Sequence, residues 1–419
     1  MNKYDVVVIG GGPAGLAAAI AADGEKSKVL LIEREERLGG VLKQCIHDGF
    51  GVIRFGEKLS GCEYATRFIH DLEKTNVTVS KLTFASDIKK VDHGFILTLI
   101  KNTGATEIFT KTIVLATGCR ERTARQVSIH GTRPAGILTA GSSQYYVNVL
   151  GQLPGKKCVI LGSGDIGLIM ARRLTLEGAK VLGVYEAKPE PSGLMRNIYQ
   201  CLYDFDIPLH LSETVIEAHG SQRLTGVTVA KVDEKMEPIS GSEEFIPCDT
   251  LILSVGLIPE NELAESLGVT LCKETKGPYC DQNYMTNVPG VFSCGNALHV
   301  NDLVDYVSES GTGAGKAAAY FTQKNRVYLP VSKTDDFLYV VPETIETTAD
   351  IATVDFFMRT KTTRADTLVK VLHNDEEIWH HQYQGLRPPE MEKITIDLGD
   401  IALASTDKLQ FVMEDAKND

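Results

Sequence analysis

The sequence contains no pair of cysteines in a C-x-x-C spacing. Its 9 cysteines are scattered over 419 residues as an odd set that matches no common zinc-ligand pattern. Since neither a disulfide framework nor a metal cluster is indicated, we expect reduced and mainly structural thiols. We predict no metal site.

Long hydrophobic runs and an excess of positive charge are missing as well. No apolar stretch approaches the roughly 20 residues of a membrane-spanning helix, and the first predicted strand begins at Tyr4, too early for a preceding signal peptide. Lysine and arginine total 43 against 55 aspartates and glutamates, so the net charge of −12 argues against a nucleic acid partner. We expect a cytoplasmic protein without a transmembrane segment.

Strand and helix signals alternate over the first two thirds of the chain, which is typical of an α/β protein with mainly parallel sheets. An alanine-rich helix from about Gly311 and a polar segment with Pro330 then mark a boundary. Beyond it, short β-rich runs separated by turns predict a small all-β domain. These runs are Phe337 to Val341, Thr353 to Arg359, Thr367 to Leu372, Glu377 to His381, Lys393 to Leu398 and Lys408 to Met413.

A glycine-rich turn follows the first predicted strand. Gly10 to Gly15 match G-x-G-x-x-G and lead into an alanine-rich helix, Leu16 to Ala22. In such motifs the glycines allow a tight turn, the approach of a pyrophosphate and close helix packing, while the helix N-terminus offers N–H groups to the phosphates. The next strand ends at Glu33, whose carboxylate can accept hydrogen bonds from a ribose. A glycine turn without a ligand is the alternative, which this context disfavours.

The whole motif recurs about 150 residues later. Gly162 to Gly167 follow the strand Cys158 to Leu161, and the strand after the next helix ends at Glu186. An acid there suits the free 2′-hydroxyl of NAD and would repel the 2′-phosphate of NADP. Lys188, two residues further on, could still reach a phosphate, and Glu186 could instead be a solvated strand end. We favour NADH over NADPH.

Three further segments accompany these motifs: Thr112 to Gly118, Asp249 to Gly256, and Gly290 to Asn296. Together they resemble the two-dinucleotide-domain flavoprotein reductases, which include thioredoxin-reductase-like enzymes. The resemblance covers about residues 1 to 325 and implies two Rossmann-like folds, an NAD(P) domain inserted in a split FAD domain. We predict an FAD-binding domain (1–122 and 256–325), an NAD(P)-binding domain (123–255) and a C-terminal β-sandwich-like domain (330–419).

Shorter motifs resemble narrower groups of that family. Arg120 to Arg122, Gly131 to Gly136 and Cys294 to His299 are similar to subunits of sarcosine, opine and cyanide-forming oxidases. Gln44 to His47, Asp302 to Tyr306 and Arg387 to Met391 resemble the FAD oxidoreductase that accompanies an anaerobic-type glycerol-3-phosphate dehydrogenase. This likeness implies that the partners are FAD, NAD(P)H and a second redox subunit, and we expect an oligomer. Trp379, His380 and His381 on one predicted strand suggest that the partner docks on the C-terminal domain.

The motifs and the resemblance together predict the residues that bind each cofactor. For FAD they are Gly10, Gly12, Pro13, Ala14, Gly15, Glu33, Arg34, Gly40, Ala85, Ala116, Thr117, Gly118, Gly295 and Asn296. For the nicotinamide dinucleotide they are Gly162, Gly164, Asp165, Ile166, Gly167, Glu186 and Gly256. Asn296 departs from the family, which usually has aspartate there to bind the flavin ribityl chain. An asparagine can still accept and donate such a hydrogen bond.

Flavin and nicotinamide on one chain imply hydride transfer between nicotinamide C4 and flavin N5. Family members that act on disulfides carry a dithiol beside the flavin, which this chain lacks. Cys45 is the best thiol candidate, since His47 or a helix N-terminus could lower its pKa, although it could equally pack without chemistry. His47 and His299 could contact the flavin or serve structural roles, and Tyr306 could cover it or belong to the core.

Three functions are open at this point. The first is an NADH-linked, FAD-dependent dehydrogenase or oxidase that works with a second redox subunit in a glycerol-3-phosphate-oxidising electron-transfer system. The second is a free-standing NADH oxidase or peroxidase that uses Cys45. The third is an FAD electron-transfer subunit of an amine-type oxidase that makes no use of nicotinamide, and the intact second motif argues against it.

Overall fold

The computed structural model describes residues 1–348 and 351–416. The chain forms two compact units, of which the first comprises Met1–Leu42, His47–Cys119 and Pro259–Asp419. The second comprises Lys43–Ile46 and Arg120–Ile258. The second unit is therefore an insertion in the sequence of the first, as the resemblance implied.

The described residues contain the following regular elements. The strands are β1 (Asn2–Ile9), β2 (Val29–Ile32), β3 (Asp48–Phe50), β4 (Leu59–Ser60), β5 (Thr78–Ser80), β6 (Phe84–Val91), β7 (Gly94–Lys101), β8 (Gly104–Leu115), β9 (Cys119–Glu121), β10 (His130–Gly131), β11 (Ile137–Thr139), β12 (Lys157–Leu161), β13 (Lys180–Glu186), β14 (Leu209–Leu211), β15 (Glu213–Gly220), β16 (Leu224–Lys231), β17 (Glu244–Ile246), β18 (Thr250–Leu253), β19 (Leu257–Pro259), β20 (Val291–Ser293), β21 (Tyr328–Lys333), β22 (Phe337–Val341), β23 (Thr344–Glu346), β24 (Thr353–Thr360), β25 (Arg364–His373), β26 (Glu376–Leu386), β27 (Glu392–Asp397) and β28 (Leu409–Asp415). The α-helices are α1 (Pro13–Gly24), α2 (Gly61–Leu72), α3 (Ala140–Asn148), α4 (Asp165–Leu176), α5 (Met195–Cys201), α6 (Glu262–Ser266) and α7 (Val304–Ala319). None of these helices is long and apolar enough to cross a membrane.

The main sheet of the first unit has the strand order β5-β2-β1-β8-β7-β6, with β20 also beside β8. β1 runs parallel to β2 and β8, so the first motif leaves the sheet at the carboxyl ends of parallel strands. Val6 and Val8 of β1 face the cluster that contains α1, whereas Val7 and Ile9 face the opposite cluster. Successive side chains of a strand point to opposite sides, so these two clusters bury both faces of β1.

The second unit repeats this arrangement. Its parallel sheet has the order β11-β18-β12-β13-β14, and α4 connects β12 to its parallel neighbour β13. A second sheet, β10-β15-β16-β17, is mainly antiparallel. The second glycine-rich turn therefore also follows a central parallel strand.

The C-terminal strands belong to the first unit and form two sheets, β23-β21-β28-β25-β26 and β22-β24-β27. All six β-rich runs of the C-terminal region are confirmed as strands. The polar segment with Pro330 forms strand β21, in which Leu329 is buried and which pairs with β23 and β28. The predicted start of the helix before this segment is wrong. Helix α7 begins at Val304 rather than near Gly311, because its β-branched and serine-rich first turns pack against α1 despite weak intrinsic propensity.

Candidate dinucleotide sites

The three glycines of the first motif have different surroundings. Gly10, at φ +109°, has no room for a Cβ atom, which would collide with the carbonyl oxygen of Ala116. A Cβ on Gly15 would likewise collide with the carbonyl oxygen of Gly10. Beside Gly12, in contrast, the nearest heavy atom to such a Cβ would be the Cα of Gly40, at 3.8 Å. Gly10 and Gly15 thus allow the chain to pack on itself, while Gly12 leaves the space that a pyrophosphate requires.

Helix α1 begins directly at this turn. Its N-cap is Gly12, which has no side chain to cap the helix, and Pro13 occupies the first helical position. The N–H groups of the first turn are thereby left for an anion. Gly295, at the end of the later strand β20, approaches the same turn, because a Cβ on it would lie 2.8 Å from the Cβ of Ala14.

Glu33 lies at the carboxyl end of β2 and is only 7% exposed. Its Oε2 accepts a hydrogen bond from the N–H of Gly11 at 2.8 Å, and its Oε1 accepts one from the N–H of Glu35 at 2.8 Å. An ionised carboxylate has about four acceptor positions. Glu33 is therefore oriented by the backbone and retains capacity for two ribose hydroxyls.

The glycines of the second motif repeat the first pattern. At Gly162, with φ +94°, a Cβ would collide with the carbonyl oxygen of Ser254, and at Gly167 it would lie 2.7 Å from the Cβ of Ser254. At Gly164 no heavy atom would lie closer than 3.6 Å. Gly164 is also the N-cap of α4 and again provides no side-chain cap. Both turns therefore combine two tightly packed glycines with one open glycine at a helix N-terminus.

Glu186 occupies the position that corresponds to Glu33 and is equally buried, at 7% exposed. Its Oε1 accepts a hydrogen bond from the N–H of Lys188 at 3.2 Å, as Glu33 does from Glu35. Its Oε2 accepts both the N–H and the hydroxyl of Ser163, at 3.1 and 2.6 Å. The Ser163 hydroxyl accepts in turn from the N–H of Ser192 at 2.8 Å. Sequence reasoning missed Ser163, which holds this acid more firmly than Gly11 can hold Glu33.

Other predicted FAD residues meet at Glu260, which no sequence motif singled out. The hydroxyl of Thr117 donates to the carbonyl oxygen of Glu260 at 2.6 Å, and the N–H of Glu260 donates to that of Gly118 at 2.9 Å. Arg34 forms an ion pair with the Glu260 carboxylate at 3.7 Å. Ala116, just before Thr117, follows β8 beside the first turn. The structure thus brings the residues after β1, β2 and β8 to one edge of the sheet, where ligands of open α/β folds bind.

The remaining predicted cofactor-binding residues differ from one another in burial and in hydrogen bonding. Ala85 is buried in β6, and Thr83, two residues earlier, donates its N–H to the carbonyl oxygen of Glu33 at 3.0 Å. In the second unit, Asp165 accepts hydrogen bonds from Leu194 and Asn197 of its own chain, at 2.9 and 2.7 Å. Ile166 is 38% exposed beside it. Gly256, at φ +98°, has open space where a Cβ would lie, since the nearest atom would be 4.0 Å away.

Asn296 is held at both ends of its amide. Its Oδ1 accepts from the N–H and the side-chain amide of Asn301, at 3.0 and 3.3 Å, and its Nδ2 donates to the Sγ of Cys119 at 3.7 Å. Asn301 also donates to the carbonyl oxygen of His299 at 2.8 Å. Cys119 and Asn301 therefore fix the orientation of Asn296, and no local motif marked either residue.

His299 is buried and His47 is half-buried, and both are neutral near neutral pH. Burial, with a contribution from Arg359, lowers the pKa of His299 to about 4, and burial also lowers the pKa of His47. Among the described residues, neither Nδ1 atom has a hydrogen-bond partner. A neutral His47 brings no positive charge that would favour a thiolate.

Cys45 is 5% exposed and lies against α3 of the second unit. Its Sγ is 3.8 Å from the Oε1 of Gln144. The preceding Gln44 donates to the carbonyl oxygen of Gly141 at 2.9 Å, and its own carbonyl oxygen accepts from Asn148 at 2.8 Å. No disulfide joins any of the nine cysteines, all of which lie in the described part of the chain. A redox role for Cys45 stays a prediction.

A nucleotide-binding unit inserted in another, each with a glycine-rich turn and a buried acid, defines a two-dinucleotide-domain oxidoreductase. Residues 4–317 match the model of the pyridine nucleotide-disulphide oxidoreductase family, and the chain belongs to that family. It is an FAD-dependent oxidoreductase that uses NAD(P)H. The family model ends two residues before the end of α7, so the C-terminal strands lie outside it.

Several named proteins are similar to this chain. The HcnB subunit of the hydrogen cyanide synthase of Pseudomonas aeruginosa is 28% identical over 333 residues, which cover 74% of this chain and 68% of HcnB. A ferredoxin–NADP reductase of Enterococcus faecalis is 26% identical over 360 residues, which cover 81% and 98% of the two chains. The crystal structure of T. acidophilum thioredoxin reductase superposes with a TM-score of 0.63 at 22% identity and covers 76% of this chain and 98% of its own. This last likeness shows the fold alone.

Proposed function

We propose that FAD binds at the first motif and NADH at the second, and that hydride passes between them. The observation that carries this proposal is the repeated arrangement of an open glycine at a helix N-terminus beside a buried, backbone-oriented glutamate. When bound, the nicotinamide and the flavin supply the hydride chemistry. The chain binds and orients them and excludes water from the reacting atoms.

Each motif contributes the same two functions to binding. The N–H groups of the first turns of α1 and α4 hold the pyrophosphates, and Glu33 and Glu186 accept ribose hydroxyls. Glu186 also determines the choice of nicotinamide cofactor. Its buried carboxylate accepts hydrogen bonds from neutral groups, the N–H and hydroxyl of Ser163 and the N–H of Lys188, and a 2′-phosphate placed beside it would bring two like charges together.

We further propose that the electron partner is a second redox subunit, in a system that oxidises glycerol 3-phosphate. Two relatives support a multi-subunit assembly by name: HcnB, and one of the opine oxidase subunits of Agrobacterium tumefaciens, 23% identical over 330 residues. β26, the last strand of its sheet, supports docking on the C-terminal strands. It carries a row of rings, with Trp379 stacked on His381 at 6.2 Å and His381 against Tyr383 at 4.6 Å. An edge strand offers backbone groups to a partner strand.

An anaerobic titration of the yellow holoenzyme tests the first proposal. NADH is expected to bleach the flavin absorption band rapidly and stoichiometrically, and NADPH much more slowly. Bleaching by neither nucleotide would contradict hydride transfer at the second motif. Slow reoxidation by oxygen is expected after NADH, because the proposed acceptor is another redox subunit. Fast reoxidation that the Cys45→Ser variant loses would instead favour a free-standing oxidase.

A further inference from the structure

The C-terminal strands contact the loop that leads from strand β20 into helix α7. This loop, residues 296–303, begins with Asn296 and ends at the N-cap of α7. The strands lie beyond residue 317, where the family match ends. Their contacts with the loop are therefore additional to those within the part of the chain that matches the family.

Arg359 of β24 is the centre of these contacts, and its side chain is only 11% exposed. Its Nε donates to the hydroxyl of Tyr339 at 2.9 Å, and its Nη1 donates to the carbonyl oxygens of Pro388 and Pro389. Its Nη2 donates to the carboxylate of Asp302, in the loop. A guanidinium with all these acceptors has one fixed orientation, because its donors form a rigid planar fork.

Asp302 is held from two positions on the C-terminal strands. One carboxylate oxygen accepts from Arg359, and the other accepts the backbone N–H of Met391 at 2.6 Å. Charge-assisted hydrogen bonds of this kind are about twice as strong as neutral ones. The end of the loop is thereby anchored to β24 and to the residues just before β27.

The middle of the loop and the start of α7 are enclosed as well. His299 is 2% exposed and lies between the rings of Tyr339 and Phe357, at 6.0 and 5.1 Å. In the second turn of α7, Glu309 pairs with Lys393 of β27. The C-terminal strands therefore contact the loop at His299 and Asp302 and the following helix at Glu309.

The other end of the same loop lies at the first motif. Gly295 contacts Ala14 of α1, and Asn296 follows it with its amide held by Asn301. We propose that Arg359 is a positioning residue for FAD, because it holds Asp302 and thereby keeps the loop from Asn296 to Leu303 in the conformation that binds the cofactor. This inference rests on the proposed placement of FAD at Asn296.

The test compares Arg359→Met with Arg364→Met in the full-length protein. Arg364 is a matched control, since it pairs with Asp336 and Asp415 at 2.7 and 2.8 Å, both within the C-terminal region and away from the loop. After removal of the cofactor, Arg359→Met is expected to raise the FAD Kd by about tenfold, the loss expected for hydrogen bonds to a charged group. It should also shift the flavin midpoint potential, whereas Arg364→Met should leave the Kd and the potential at their wild-type values.

Two further variants keep the outcome interpretable. Asp302→Asn should raise the FAD Kd in the same direction, and in the double variant with Arg359→Met the increase should not add, because both remove one interaction. If Arg359→Met and Asp302→Asn bind FAD as tightly as Arg364→Met does, the positioning role is wrong. Asn296→Ala distinguishes failure of the positioning role from failure of the proposed FAD site. An unchanged FAD Kd in that variant would show that FAD does not bind at this loop.

Discussion

Gly12 and Gly164 have backbone angles that an alanine also adopts, with φ of −77° and −64°. Their Cβ atoms would have no neighbour closer than 3.6 Å, so alanine at either position meets no clash and the chain should still fold. The added methyl group would nevertheless occupy the space through which a pyrophosphate reaches the backbone. These two positions therefore separate cofactor binding from folding.

We predict that Gly12→Ala yields a folded protein without bound FAD. Its melting temperature should lie within about 4 °C of the wild-type apoprotein, because the methyl group meets no clash and the loss of glycine at the N-cap costs about 1 kcal/mol or less. Thermal unfolding and the absorbance ratio of the purified protein measure both effects. Gly15→Ala is the contrasting variant, since its Cβ would collide with Gly10, and it should fail to fold. FAD retained by Gly12→Ala would contradict the assignment of the first site.

We predict that Gly164→Ala keeps FAD and loses reduction by NADH. Stopped-flow absorbance measures the rate of flavin bleaching, and dithionite, which does not need the nucleotide site, should still reduce the flavin. A wild-type rate of NADH reduction in this variant would show that the nicotinamide dinucleotide does not bind at the second turn.

Glu186 supplies the prediction for cofactor choice. Glu186→Gln should raise the KM for NADH by about tenfold, since a hydrogen bond to a charged acceptor contributes about 1.5 to 3 kcal/mol. The KM for NADPH should not rise, because the charge that repels its 2′-phosphate is gone. Steady-state reduction of an artificial acceptor measures both constants. Glu190→Gln removes the same charge from an exposed position of the following loop and should change neither.

The sequence indicated where the glycines and the two acids lie in the fold, because each has a fixed spacing from a strand and a helix. Their roles in cofactor binding stay predictions. It did not indicate Ser163, Glu260 or Asn301. Ser163 donates to Glu186, which lies 23 residues further along the chain, and Glu260 accepts from Thr117, which lies 143 residues earlier. Such contacts depend on how strands from distant parts of the chain meet at one edge, which local spacing does not encode.

Helices α1 and α7 pack so closely that two glycines of α7 touch the backbone of α1. A Cβ on Gly311 or Gly315 would collide with the carbonyl oxygen of Ala14 or Ala18. Glycine at these positions costs intrinsic helix stability, which the close packing offsets. The predicted start of this helix, near Gly311, is about two turns too late. A stretch rich in glycine, serine and valine gives only a weak helix signal on its own.

We predict that Gly311→Ala destabilises the protein although alanine is the better helix former. Separating the two helices should cost about 1 to 3 kcal/mol of overpacking, more than the about 1 kcal/mol of propensity gained. The apoprotein should melt several degrees lower. FAD should also bind more weakly, because the first glycine-rich turn leads directly into α1. Gly24→Ala, at the end of α1, is the control, since its Cβ would have no neighbour within 4 Å. An equal or higher melting temperature for Gly311→Ala would contradict this account of the helix pair.

The first unit as a whole includes the C-terminal strands, and buried ionisable groups lie where these strands meet the nucleotide-binding fold. His299 lies against Tyr339 and Phe357. Glu343 accepts a hydrogen bond from the N–H of Cys280 at 3.2 Å, and burial raises the pKa of its carboxyl to about 7. Burial also raises the pKa of Asp281 to about 6. The stability of this junction therefore depends on pH through groups of both kinds.

The two kinds of group act in opposite directions. A buried acid with a raised pKa contributes stability below its unfolded pKa, and that contribution is lost as the pH rises through its folded pKa. For Glu343 this loss occurs between about pH 4.5 and 7. A histidine with a lowered pKa contributes fully above its unfolded pKa and loses the contribution as the pH falls. For His299 the window runs from 6.5 down to about 4.

We predict that His299→Gln removes a specific part of the acid sensitivity. Between pH 7 and pH 4 the wild-type apoprotein should lose about 3 kcal/mol more stability than the variant, because His299 must bind a proton in a buried site next to Arg359. Melting temperatures of both proteins across this range measure the difference, and comparison with the variant cancels the opposing contributions of Glu343 and Asp281. Parallel curves for wild type and His299→Gln would contradict this prediction. They would show that His299 takes up a proton as easily in the folded chain as in the unfolded one.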